Sequence, residues 1–434
     1  MRSITLGRRT EQFFLSAYLF ILFFQPPITP ISQIYLTGII TFVLLALEGK
    51  RSVESVIRRT QAGKLLVALV LMSAYLWVVS MVNVLLIDQR DLFINRLRCF
   101  NQLAVLTFIQ VSGVLFTLIR AEKMHLSMRE LLQMAVLAGV MQGICAIGAY
   151  YLPELRRLFL QNADTVYQNE WLLERRGYGF SATLLDTFGY GIGIIGAILL
   201  CVPFKSKIVN ILAAALLIFT AFFNSRTGIV VLLFAVIVKS CLSGKGFSRI
   251  VYLAVTLISL SVIYMHLPDI IQVGSQSASY TVRWVTSALN DFYSVLHNEM
   301  SVGDAQFVSG LISFSNNDFE LLFGSGHSVY GTRPVLGFAT DIGYYNLIWI
   351  YGVVGTLAIY AFFINLSIKA YRLCQSNQVR ILVVIAVTTF FLVQFKCNVL
   401  GASPGICATY LILYSVFFYQ GQLDESDNEV IHFG

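Results

Sequence analysis

The chain has 434 residues, of which 57% are hydrophobic and only 12% are charged, and its mean hydropathy is +0.74. Soluble domains carry about 25% charged residues, so this composition excludes a soluble globular protein and indicates one that crosses a membrane many times. The formal charge of +7 does not indicate nucleic-acid binding. The basic residues are spread through short segments between apolar runs, where the orientation of membrane helices explains them.

Apolar runs follow one another along almost the whole chain. A bilayer core of about 30 Å requires roughly 20 apolar residues per helix, and on that basis the sequence predicts about twelve spans. Their predicted ranges are 11–24, 31–47, 65–87, 100–119, 131–152, 181–202, 208–223, 228–241, 250–265, 342–366, 381–400 and 404–419. The chain is therefore predicted to be an all-α polytopic membrane protein.

The distribution of Lys and Arg predicts how these spans are oriented. With the N-terminus in the cytoplasm, the inner loops hold 19 of the 30 Lys and Arg residues, as the excess of basic residues in cytoplasmic loops requires. The even number of spans then puts the acidic tail, residues 421–434, in the cytoplasm as well. We expect one transmembrane domain, 1–434, with both termini inside.

Two long segments lie on the predicted outer side of the membrane. Residues 153–180 end in ERRGYGF, and residues 266–341, between spans nine and ten, hold two arginines against seven acidic side chains. In SYTVRWVTSALNDFYSVLH the apolar residues recur at helical spacing, with Arg283 on the polar face. We expect a short helix there that lies on the membrane surface or caps the bundle.

Arginines near the outer ends of spans are the first candidates for chemistry. Arg175 and Arg176 precede span six, and Arg226 lies in NSRTG between two spans. Insertion scales put an arginine at about +2.5 to +3.5 kcal/mol at mid-bilayer, so a compensating partner is expected. The guanidinium group suits phosphate through paired charge-assisted hydrogen bonds. Alternatively, such an arginine extends to lipid headgroups or pairs with an acid such as Glu174. For Arg226, in its tight turn, we favour the functional interpretation.

Three further residues allow two interpretations each. Asp341 begins span ten, where it either caps the helix or accepts a proton from an attacking sugar hydroxyl. His327 lies in the glycine-rich LLFGSGHSVYG, where the backbone can approach a ligand closely, although a lone histidine can be incidental. Asp186 follows Arg176 by ten residues and is expected to face the same outward cavity.

Metal, nucleotide and transport chemistry are disfavoured. The seven cysteines are scattered without a CxxC pair, so we predict no zinc site, and no cofactor is expected. The glycines of LLFGSGHSVYG do not form a nucleotide-binding fingerprint. The spans contain few ionisable residues, whereas a coupled transporter is expected to bury several at mid-depth.

At these residues the chain resembles the O-antigen polymerase (Wzy-type) and O-antigen ligase superfamily of bacterial membrane glycosyltransferases. The matching pieces are RRGYGFSATLLDTFGYG, NSRTG, the long outer loop with its arginine-bearing helix, LLFGSGHSVYG and TDIGYYNLIWIYGVVG. The resemblance implies a GT-C-like, metal-independent enzyme of the inner membrane with a large periplasmic loop. Its substrate would be undecaprenyl-diphosphate-linked oligosaccharide, held among membrane lipids, and a chain-length regulator protein would be a candidate partner.

The resemblance also separates polymerase from ligase. Ligases of the superfamily typically carry a histidine at the start of the helix after the large loop, where this chain has Asp341, so the pattern looks like the polymerases. We predict a polysaccharide polymerase, with ligase as the alternative and a lipid-linked oligosaccharide flippase as the second alternative. The catalytic roles implied fall to Arg226, Arg283, Asp341 and Arg176. The substrate-binding roles fall to His327, Tyr330, Tyr344, Arg175, Arg333 and Asp186.

Overall fold

The computed structural model describes residues 7–29, 32–87, 93–162, 178–182, 185–242, 272, 317–326, 342–400 and 404–432. These residues form helices joined by short turns, and no strand occurs among them. The helices are α1 (Arg8–Phe24), α2 (Gln33–Glu48), α3 (Lys50–Thr60), α4 (Ala62–Ile87), α5 (Phe93–Lys123), α6 (Met128–Tyr151), α7 (Pro153–Leu160), α8 (Leu185–Cys201), α9 (Lys207–Asn224), α10 (Arg226–Leu242), α11 (Asp318–Phe323), α12 (Gly343–Leu373), α13 (Asn377–Gln394) and α14 (Pro404–His432).

Every predicted span within the described residues overlaps a helix, although α13 ends at Gln394 whereas the eleventh predicted span continues to residue 400. The ninth span, 250–265, lies outside the described residues. Within the described ranges, four helices are long and apolar enough to cross a membrane by themselves, namely α4, α6, α12 and α13. A fifth is added if α2 and α3 count as one bent span. Large apolar side chains are also exposed, such as Leu47 at 77% and Ile208 at 70%. Such a surface is unfavourable in water and suits hydrocarbon, so the protein is helical and membrane-embedded.

Helices α2 and α3 differ sharply in character although only Gly49 separates them. Helix α2 is apolar, whereas α3 has the sequence KRSVESVIRRT, with basic residues at both ends. The two axes meet at 107°, and Gly49 adopts a φ of 85° at the corner. A short basic amphipathic helix perpendicular to an apolar one is suited to lie along the membrane surface.

Ion pairs join several helix termini at one end of the bundle. Helices α1 and α6 begin there, joined by Arg8 and Glu130 at 2.8 Å. Helices α2 and α5 end there, joined by Arg120 and Glu48 at 3.2 Å. The hydroxyl of Tyr419 ties α14 to the same end by donating to a carbonyl of the turn between α5 and α6 (2.7 Å). We call this the ion-paired end.

Helix α8 lies at the centre of the bundle, in contact with α6, α9, α10, α13 and α14. Its glycines allow the close approach of two neighbours, as small residues do between membrane helices. A Cβ atom at Gly189 would lie 2.6 Å from the Cβ of Ser225 and 2.9 Å from the backbone nitrogen of Gly228. On another face, a Cβ at Gly191 would lie 2.4 Å from Pro404, the first residue of α14.

Substituting Gly189 tests how much the fold depends on this contact. We expect Gly189→Ala to lower the melting temperature of the detergent-solubilised protein, since the new methyl group meets backbone that must move, at a cost of about 1–3 kcal/mol. Gly63→Ala is the control, because a Cβ there would meet only Ile57 at 3.7 Å. In a helix this control should be neutral or stabilising by up to about 1 kcal/mol. Equal melting temperatures for the two variants would contradict the packing argument.

Candidate functional site

The start of α10 is held by a carboxylate from α8. Both hydroxyl groups that flank Arg226 donate to Asp186 Oδ1, Ser225 Oγ at 3.1 Å and Thr227 Oγ1 at 2.5 Å. The other carboxylate oxygen, Oδ2, has no hydrogen-bond partner among the described residues. Ser225 Oγ also accepts from the backbone N–H of Thr227 at 3.2 Å, a bond typical of a residue that precedes a helix.

Local sequence explains why the turn forms at this point. Helix α9 ends at Asn224, whose side-chain amide donates back to the carbonyl of Thr220 at 2.8 Å. Gly228 has no side chain to separate α10 from α8, so the turn lies directly on the first residues of α8. The first N–H groups of α10 carry partial positive charge, and Arg226 is its first residue. The arrangement is an anion-attracting helix start whose nearest acid is already engaged by two hydroxyls.

A second segment, residues 178–182, is fixed at the same end of the bundle. Ser181 Oγ and the N–H of Ala182 both donate to the carbonyl of Phe24, at 3.1 and 3.0 Å. The Gln142 amide donates to the carbonyl of Tyr178 at 2.7 Å, and Gly179, with a φ of 64°, leaves no room for a Cβ beside Gln142. The chain that follows Arg176 is therefore anchored to α1 and α6 before it enters α8. We call this side of the molecule the Asp186 end.

Helix α12 begins at Gly343, with Ile342 as its N-cap residue and no side-chain cap. Asp341, for which capping is one of two interpretations, comes just before this N-cap residue in the sequence and lies outside the described residues. Tyr344 is directed towards α13, where its hydroxyl donates to the carbonyl of Phe391 at 2.7 Å and its ring packs against Phe395. This contact gives Tyr344 a structural role in joining the two helices.

Helix α12 is broken at Gly352, where φ is 67° and ψ is 178°. The break lies nine residues into the helix, about 14 Å from its start. The carbonyl of Trp349 accepts from the N–H of Ser325 at 2.8 Å, and that of Ile350 accepts from the N–H of Gly326 at 3.0 Å. A piece of LLFGSG thus replaces the hydrogen bonds that the break removes, as a lipid environment requires.

Helix α4 holds this inserted segment from the other side. The Tyr75 hydroxyl lies 2.7 Å from the carbonyl oxygen of Phe323 and 2.9 Å from that of Tyr351, and it donates to both. The buried side-chain amide of Asn83 donates to the carbonyl of Gly324 at 3.0 Å. The inserted segment therefore bridges α4 and α12.

The sequence predicts that the glycines of LLFGSG let the backbone approach a ligand closely, whereas the insertion gives these glycines a packing role. A Cβ at Gly324 would lie 2.4 Å from the carbonyl oxygen of Ile350, and one at Gly326 would lie 2.5 Å from Ser80 Oγ. Both glycines have positive φ, 93° and 73°. Their lack of a side chain is needed for contact with α12 and α4, so the close approach is to the protein itself.

A cavity of about 370 Å³ lies between α4 and α12, on the ion-paired side of the break. Apolar side chains line it almost entirely, among them Leu69, Met72, Ile359 and Phe362, with Tyr75 at its polar edge. Such a cavity suits a hydrocarbon chain and offers little to a sugar or a phosphate.

The structure brings together only part of the predicted site. It joins Asp186 to the NSRTG turn, and it describes the backbone of Arg226 at the start of α10. Tyr344 lies on α12, turned towards α13. The other predicted residues lie outside the described residues: Arg175, Arg176, Arg283, His327, Tyr330, Arg333 and Asp341.

The sequence did not identify Ser225 and Thr227 as partners of Asp186. It also did not single out the amides Asn346 and Gln394 as candidate functional residues. The two amides stand within apolar runs, GYYNLIWIYG and FFLVQFK, where a polar side chain is a functional signal by itself. Among the described residues no group of His, Cys, Asp or Glu side chains could hold a metal ion.

Comparison of the chain with protein-family models and with curated proteins finds no match in either set. The functional interpretation therefore depends on the residues of the site and on the pattern of motifs along the sequence.

Removing the Tyr75 hydroxyl tests the inserted segment. We expect Tyr75→Phe to lower the melting temperature in detergent, because two carbonyls lose their donor, at a cost of about 1–3 kcal/mol. Tyr35→Phe on α2 is the matched control, since that side chain is 56% exposed. An unchanged melting temperature for Tyr75→Phe would show that the insertion does not depend on this hydroxyl.

Proposed function

We propose that this protein is a polysaccharide polymerase of the bacterial inner membrane. It transfers a growing glycan from undecaprenyl diphosphate onto a lipid-linked repeat unit at the periplasmic face. The observation that carries the proposal is the NSRTG turn. In this turn the hydroxyls of Ser225 and Thr227 donate hydrogen bonds to Asp186, and Arg226 is the first residue of α10. Guanidinium and helix N-terminus together attract an anion, and a diphosphate is the anion that this substrate presents.

The charge distribution supports this orientation. The ion-paired end carries the starts of α1 and α6 and the ends of α2 and α5, with their Lys and Arg residues. By the rule that basic residues favour the cytoplasm, this end and both termini are cytoplasmic. The Asp186 end then faces the periplasm, with about twelve spans and a GT-C-like arrangement around it.

The proposed reaction breaks the bond between the anomeric carbon and the diphosphate oxygen and forms a bond from that carbon to the acceptor hydroxyl oxygen. The hydroxyl proton passes to a base, for which Asp341 is the candidate. Negative charge develops on the departing diphosphate, and Arg226, with Arg176 and Arg283, stabilises it. Asp186 is a positioning residue, because it fixes the turn that presents Arg226. No metal or cofactor is required.

One further feature supports a lipid-linked substrate, and another argues against transport. The apolar cavity between α4 and α12 suits part of a polyprenyl chain. A broken membrane helix is typical of transporters, where freed carbonyls bind ions. Here the carbonyls of residues 349–351 already accept hydrogen bonds from Ser325, Gly326 and Tyr75, so the break favours a structural joint over a flippase.

Replacing Arg226 tests the proposal in a deletion strain complemented with each variant. We expect Arg226→Ala to leave surface glycan of a single repeat, because loss of one such stabilising group lowers turnover by about 10²–10³. Lys50→Ala is the control, a basic residue on α3 whose side chain is 88% exposed. Membrane abundance of each variant is measured by immunoblot. Long surface glycan from an Arg226→Ala protein that is present at normal membrane abundance would contradict the proposal. Complete loss of attached glycan would indicate the ligase instead.

The role of Asp186 is tested by two substitutions of similar size. Asp186→Asn keeps an acceptor oxygen for Ser225 and Thr227, whereas Asp186→Leu removes it and leaves both hydroxyls without this partner. We expect the asparagine variant to make long chains and the leucine variant to make short ones, scored by the length distribution on a gel. Identical distributions would show that the hydrogen bonds do not position Arg226.

A further inference from the structure

Two carboxamides are buried at the Asp186 end with atoms that lack hydrogen-bond partners. Gln394, the last residue of α13, is fully buried, and neither its Nε2 nor its Oε1 has a partner among the described residues. Asn346, the fourth residue of α12, is 2% exposed, and its Oδ1 also lacks a partner in the described part of the chain. Buried polar atoms without partners destabilise a fold, so their presence in two adjacent helices needs a reason.

The side chain of Gln394 extends from the end of α13 onto the start of α12. Gln394 Oε1 lies so close to Gly343 that a Cβ there would be 1.9 Å from it, and the carbonyl of Cys397 would be 2.5 Å away. Asn346 is three residues after Gly343 and so lies on the same face of α12. The missing side chain at Gly343 makes the space into which the amide of Gln394 extends.

Helix packing places this region beside the proposed reaction centre. Helix α13 contacts both α8 and α10, the helices that carry Asp186 and Arg226. The end of α13 and the start of α12 meet at Gly343, so both amides lie within about one helical turn of a helix terminus at the Asp186 end. The amides therefore lie at the same end of the bundle as the turn, on helices different from those that form it.

The chemistry of a carboxamide selects the class of ligand. Each amide both donates and accepts, as does a sugar hydroxyl, and a pair of amides can bind a neutral polyhydroxyl group without a charged partner. A phosphate is bound best by donors that carry positive charge, and the neutral amides of Gln394 and Asn346 carry none. These atoms thus match a sugar ring better than the diphosphate.

We infer that Gln394 and Asn346 bind hydroxyl groups of a neutral sugar in the acceptor repeat unit. The inference rests on the proposed function and assigns its acceptor-sugar subsite to the junction of α12 and α13. The sugar supplies the hydrogen bonds that the free protein lacks, so the site discriminates strongly against an acceptor without those hydroxyls.

Apolar variants of similar size separate binding from folding. Gln394→Met and Asn346→Leu remove the amides with little change in volume. Thr356→Val is the control, because Thr356 is 4% exposed, its Oγ1 also lacks a partner, and it lies on α12 beyond the break. The probe is the free oligosaccharide repeat released by mild acid from the surface glycan of the source strain. Its binding to each purified full-length variant is measured by calorimetry, and melting temperatures are recorded in parallel.

We expect Gln394→Met and Asn346→Leu each to weaken binding of the oligosaccharide at least tenfold, with melting temperatures equal to or above wild type. Thr356→Val should bind as wild type does. Wild-type affinity in both amide variants would overturn the inference, and so would a lower melting temperature in both, since the amides would then support the fold.

The variant Arg226→Ala distinguishes this inference from the proposed function. The free oligosaccharide carries no diphosphate, so Arg226→Ala should bind it normally while failing to elongate lipid-linked repeats. If Arg226→Ala elongates normally, the proposed function fails. If Arg226→Ala fails to elongate but Gln394→Met binds and elongates as wild type does, only the sugar subsite fails.

Discussion

The close contact of α8 with α10 is the constraint on which the rest of the structure depends. Because Gly189 and Gly228 lack side chains, the two helices touch through their backbones, and this distance lets Asp186 reach Ser225 and Thr227. A wider separation would leave the carboxylate and both hydroxyls without each other in an apolar interior, which is costly. The same packing thus sets the fold and presents the first residue of α10.

A second backbone contact connects residues 317–326 to the membrane helices. Gly324 meets α12 where Gly352 breaks it, and the carbonyls released at the break are taken by the inserted segment and by Tyr75. The inserted segment and Tyr75 are both needed at the break, because a helix can be interrupted within a membrane only when other groups of the protein complete its hydrogen bonds. The insertion therefore ties this segment to α4 and α12 without opening an ion site.

The Asp186 end contrasts with the ion-paired end in how its polar groups are used. At the ion-paired end, pairs of opposite charge join helices, as Arg8 joins Glu130. At the Asp186 end, one oxygen of Asp186 and the whole side-chain amide of Gln394 have no hydrogen-bond partner among the described residues. Buried polar atoms without partners are destabilising, and under the proposed function a substrate would complete their hydrogen bonds.

The sequence by itself determined the helices and the candidate arginines. Apolar length is a local property, so the predicted spans within the described residues overlap helices, and Asp186 and Arg226 stand out as charges beside apolar runs. The tertiary structure alone decided the partners. It joined Asp186 to the turn across 39 and 41 residues of chain, directed Tyr344 towards α13, and gave the glycines of LLFGSG a packing role. It also brought Gln394 beside α12, because hydrogen-bond partners distant in sequence are set by helix packing, which no local pattern encodes.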